Sequence, residues 1–164
     1  MTSARHLEIA QNLKDAGYEL PSMQSAIAAY TPALQVGDLA FTSGQLPLVD
    51  GALSVTGKVG VGEGLVSPTA AKELAARCAL NALAALADSL GDLGRVSRVV
   101  KVTGFVASDP AFAEQSAVID GASTLLHQAF GDAGIHTRSA VGVAVLPKNS
   151  PVEVELLVAL TAAQ

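Results

Sequence analysis

The chain has no tryptophan, one cysteine and two methionines, and aromatic residues make up only 4% of its 164 positions. A core without large rings must close through small and branched side chains, so its elements have to approach closely. The lone cysteine, Cys78, has no partner for an internal disulfide and gives no support to an oxidising compartment. Charge is scarce as well, at 15% of residues, and 10 basic against 15 acidic side chains leave a net charge of −5. Binding through phosphates needs clustered lysine and arginine, so a nucleic-acid partner is not expected. Long hydrophobic runs are missing too. No stretch approaches the roughly 20 apolar residues that span a bilayer, and the residues after His6 are amphipathic rather than signal-like. The expectation is a cytoplasmic protein without a membrane partner. His6, His127 and His136 share no short ligand spacing, so neither a metal nor another cofactor is expected.

What the chain does have is alanine, valine, leucine and glycine: half of it is hydrophobic, and its mean hydropathy is +0.42. Such a sheet has little wet surface, which suits one covered on both faces, by helices or by further copies of the chain. The length fits one domain, 1–164, in which residues 1–20 form an N-terminal helical extension.

Apolar spacing predicts a helix over 3–16, ended by Gly17. Strands are predicted over 27–36 and 39–42 around a Gly37-Asp38 turn. The glycines of 49–66 match no phosphate-loop spacing, so a mobile connecting loop is expected there. Ser67-Pro68 opens a long helix that runs to Leu90 and stops at Gly91. A strand follows over 99–107. Ser108-Asp109-Pro110 then predicts a second long helix over 111–130. Two valine-rich runs around Pro147-Lys148-Asn149-Ser150-Pro151 read as a hairpin. The sum is an α+β domain with a mixed, mostly antiparallel sheet and two long helices packed on one face.

Arg138 opens the first of those valine-rich runs. Set among apolar residues, its guanidinium needs a carboxylate, which a ligand, Glu153 or a neighbouring subunit could supply. Alternation along the last strand puts Val152, Val154 and Leu156 on one face and Glu153 and Glu155 on the other, so arginine and carboxylate could meet at one sheet end. Glu153 is then either a solvated strand residue or a proton carrier. Tyr30 reads as core or as a pocket wall, and His136 as a pocket residue or a turn residue. Ser43 lacks the surroundings of a hydrolase nucleophile.

Several of these residues recur together. Tyr30, the run Leu39-Ala40-Phe41-Thr42-Ser43-Gly44-Gln45-Leu46-Pro47, Leu80-Asn81-Ala82-Leu83, the strand from Val99 to Val106, Arg138-Ser139, Leu146-Pro147 and Val152-Glu153-Val154-Glu155 stand in the order and spacing of one family. From about Tyr30 to Val158 the chain resembles the RidA/YjgF family. The resemblance implies a chorismate-mutase-like fold assembled as a homotrimer, with three sheets closing an inner barrel and three sites at subunit interfaces. It also implies cofactor-free hydrolysis of small enamine or imine intermediates, such as 2-aminoacrylate, to 2-keto acids and ammonia. By motif match, Arg138 would pair with the substrate carboxylate and Glu153 would position water or relay a proton. Tyr30 would wall the pocket and Ser43 with Gly44 would form its floor. The chain also departs from the family pattern: Ala140 replaces a common cysteine, Ser116 an asparagine, and His136-Thr137 the usual Pro-Ala. The 117–137 segment is longer, which marks a divergent subgroup. The competing expectation is a non-catalytic trimeric binder or sensor of a small carboxylate metabolite.

Overall fold

Serine caps and glycine stops set the first two helices of a computed structural model, which describes residues 2–22 and 29–161. Helix α1 (Ala4–Asp15) starts where Ser3 Oγ accepts the His6 N–H at 3.1 Å. Helix α2 (Pro68–Leu90) starts at Ser67, whose Oγ accepts from Ala70 N–H at 3.2 Å, and ends at Gly91 with φ 72°. Both agree with the sequence reading. Helix α3 (Gln115–Phe130) begins later than predicted. Asp109 does cap the Ala111 N–H, at 3.0 Å, but the turn it closes stands alone, and the helix then starts from Glu114 without a side-chain cap.

Five strands form one sheet: β1 (Ala33–Val36), β2 (Leu39–Thr42), β3 (Val96–Ala107), β4 (Thr137–Val143) and β5 (Val152–Leu160). Their order is β1-β2-β5-β3-β4, antiparallel except for the parallel β3–β4 pair. The turn between β1 and β2 is as read, with Gly37 at φ 58°. The strand itself starts at Ala33; of the predicted 27–36, residues 27 and 28 lie outside the described residues. The predicted β4–β5 hairpin does not form, because β3 lies between the two strands. At 12 residues β3 pairs with β5 from Val96 to Val106 and with β4 from Lys101 to Ala107. The 147–151 connection crosses the end of β3, where Pro151 O accepts from Ala107 N–H at 2.9 Å.

The core lies between the sheet and the pair α2–α3, where Val102, Val106, Val154, Leu156 and Val158 meet Leu83, Leu86, Ile119 and Leu126. The close approach that a ring-poor core demands is visible at two glycines. A Cβ on Gly121 of α3 would strike the Lys72 carbonyl of α2, and one on Gly104 of β3 would strike Ile119. The glycine-rich 49–66 connection, expected to be mobile, is held at buried Val59, which donates to Ala107 O at 2.7 Å and accepts from Asp109 N–H at 2.9 Å. The N-terminal extension is tied down as well: Ser3 N–H and Oγ–H donate to Asp92, and Asn12 Nδ2 donates to Ala129 O.

The sheet's other face carries no helix. There Leu34, Val36, Leu39, Phe41 and Val141 are exposed beside Lys101, Thr103, Glu153 and Glu155. No helix among the described residues is long and apolar enough to cross a membrane.

Candidate functional site

Arg138 lies on β4 opposite Val102 of β3, whose side chain is buried under the helices. Side chains at paired positions share a face, so Arg138 also points to the helix side, over α3. Ser116, Asp120 and Ser123 are spaced on α3 as i, i+4 and i+7 and so form one stripe beneath it. Nη1 of Arg138 donates to Asp120 Oδ1 at 2.7 Å and to Ser123 Oγ at 3.0 Å, and Nη2 donates to the Ser116 carbonyl at 3.3 Å. A guanidinium has five N–H donors. Among the described residues, the Nε–H and one Nη2–H of Arg138 have no acceptor. These two remain for a further acceptor such as a carboxylate.

The network continues to His136, two residues back on the same side. Its Nε2 stands 2.9 Å from Ser123 Oγ and its Nδ1 2.6 Å from Gly134 O. Burial, helped by the Arg138 charge and opposed by the Gly134 bond, holds the ring's pKa below the ordinary histidine value. Ala140 follows Arg138 on the same face, opposite Gly104, and is half-buried.

Glu153 belongs to a second cluster. It lies between buried Val152 and Val154, opposite Phe105, so its carboxyl leaves the sheet on the face without helices. Within one chain, Arg138 and Glu153 therefore do not meet at one sheet end. Three strand positions separate Val102 from Phe105, and an odd spacing reverses the face. The carboxylate that pairs with Arg138 is Asp120, with side-chain exposures of 22% and 52%.

Around Glu153 stand Gly44 and Ser43. Gln45 exchanges backbone bonds with Val154, its N–H donating to Val154 O at 2.8 Å and its carbonyl accepting at 3.1 Å, which lays residues 43–45 along β5. Gly44 then has no room for a side chain, since a Cβ there would overlap the Glu153 carboxyl. Ser43 Oγ donates to Thr31 O at 2.7 Å. Burial, and then the neighbouring Glu155 charge, raise the Glu153 pKa from its ordinary value. Tyr30, expected on a strand, precedes β1 in a bend and is 58% exposed.

The site residues thus form two half-sites. One has Arg138, Ser116 and Ala140 at the β4–α3 edge; the other has Glu153, Gly44 and Ser43 on the open face. The sequence reading missed Asp120 and Ser123 as partners of Arg138. The signal for them was the Ser116-Asp120-Ser123 stripe itself.

The family model described as "YjgF/chorismate_mutase-like, putative endoribonuclease" matches residues 10–160. Protein TCP17 of Trypanosoma cruzi is 41% identical over 153 residues, 93% of this chain and 94% of that one. The RutC family protein y4sK of Sinorhizobium fredii is 32% identical over 136 residues, 83% of this chain and 90% of its own. Among solved structures, the protein Atu1372 of Agrobacterium tumefaciens, of unknown function, is 42% identical and superposes with a TM-score of 0.87, covering 96% of this chain and 95% of that one. By the family-model match and by overall similarity, this chain belongs to the YjgF/RidA family, with its chorismate mutase-like fold.

Proposed function

We propose that the protein hydrolyses small enamine or imine intermediates of amino-acid metabolism to 2-keto acids and ammonia, without a cofactor. Family membership is consistent with processing of a small molecule. The observation that carries the finer reading is the spare donor capacity of Arg138: two N–H groups without an acceptor among the described residues, on a guanidinium already fixed by α3, suit the carboxylate of a small acid.

In this reading Glu153, whose burial favours the protonated carboxyl, protonates the enamine carbon to give an iminium. Glu153 then takes a proton from the attacking water, and collapse of the carbinolamine expels ammonia and leaves the keto acid. The two half-sites lie on opposite faces, so a complete site needs Arg138 from one chain and Glu153 from another. Homotrimer assembly through the open face would supply that pairing, with Tyr30, Ser43 and Gly44 lining the substrate. The exposed apolar residues of that face support it.

The test generates 2-aminoacrylate in situ and follows keto acid and ammonia with the wild type, Arg138→Ala and Glu153→Gln. Acceleration by the wild type alone is the expected result. No acceleration over buffer, from folded and assembled protein, removes these substrates. Binding of a carboxylate without turnover would then mark a sensor.

A further inference from the structure

Beside α3, Ser123, Thr124, His127, Gly134, Ile135 and His136 border a shallow cleft of about 420 Å³, and the proposed imine hydrolysis gives none of these six a role. Arg138 lines it as well and holds Ser123 Oγ through Nη1.

The hydrogens of this network can be assigned from donor and acceptor chemistry. Gly134 O can only accept, so the hydrogen of the neutral ring sits on Nδ1, and Nε2 is left as an acceptor. Ser123 Oγ accepts from Arg138 Nη1, so its own hydrogen points to Nε2, 2.9 Å away. All the donors therefore run one way, from Arg138 to Ser123 to His136 to Gly134. A ring that served only to close the 131–134 turn would need the bond at Nδ1 and nothing at Nε2.

We propose that Ser123 and His136 form a nucleophile–base dyad that cleaves small carboxylic esters entering this cleft. Ser123 Oγ bonds to the ester carbonyl carbon as its proton passes to His136 Nε2. The carbon–oxygen bond to the alcohol breaks, and the alcohol leaves with that proton. Water then attacks the acyl–serine carbon, gives a proton to Nε2, and the acid departs as Oγ is reprotonated. Gly134 O orients the ring, as a third group does in such dyads. The guanidinium, 3.0 Å from Oγ, stabilises the negative charge that develops there. Burial of the ring favours its neutral form, the form that can take a proton.

The test treats the full chain with a fluorophosphonate and maps the adduct by peptide mass spectrometry. Labelling of Ser123 is expected in the wild type, and it should be at least about tenfold slower in His136→Asn. That variant keeps a donor for Gly134 O, and its melting curve reports whether it folds. A second readout needs only the wild type: acid quenching during p-nitrophenyl acetate turnover should trap Ser123 as its acetyl ester. An unlabelled Ser123, equal labelling rates in wild type and a folded His136→Asn, or no trapped acetyl group would each overturn the dyad.

Discussion

Glu153 leans over Gly44 with Glu155 on the same face, and both its burial and that neighbour favour the protonated carboxyl. For an acid whose pKa is raised by folding, the folded state binds more protons between the unfolded and folded pKa values. Stability is then fully present below the unfolded pKa and falls as pH rises through the folded one. Glu153→Gln should flatten this fall: melts from pH 4 upward should coincide with wild type in acid and lie above it at pH 8. A Gly44→Ala methyl would displace the flexible end of Glu153 rather than backbone. It should therefore leave the melting temperature nearly unchanged while lowering kcat/KM for imine hydrolysis by about tenfold or more. That Arg138 needs a carboxylate was legible, because a guanidinium at the head of an apolar strand needs a partner. Which carboxylate it takes was not, since Asp120 comes within reach only once α3 has docked beside β4.

Helix boundaries could be read wherever a capping side chain bonds to the helix it opens, as Ser3 and Ser67 do. They could not be read at Asp109, where the same chemistry closes a separate turn. Strand neighbours were less legible, because β5 follows β4 in sequence and yet pairs with β2 and β3. Gly121, inside a helix where glycine is unfavourable, marks close packing instead. Since the obstacle to a Cβ there is the Lys72 backbone of α2, Gly121→Ala must push the helices apart. The expected cost is about 1–3 kcal/mol, read as a lower denaturant midpoint at unchanged slope.

At the scale of the whole molecule, the low charge and high hydropathy of the sequence correspond to the sheet face that has no helix. Phe41, 43% exposed on β2, lies in one row with Leu157 and Lys101. Phe41→Asp adds a charge where the proposed trimer would bury the ring and removes nothing from the core. The variant is expected to run as a folded monomer in sedimentation and to lose imine hydrolysis with assembly. A folded Phe41→Asp trimer would remove this face from the proposed interface.

The position of β5 also bears on how the chain folds. A nascent chain that has emerged only as far as Ser150 has its β1–β2 hairpin and its β3-α3-β4 unit, yet has no strand to join them. Both stay open along the edge that β5 will fill, each showing unpaired backbone to any other chain nearby. Completion of the sheet is thus a late, long-range event, and in that interval the protein is most exposed to aggregation.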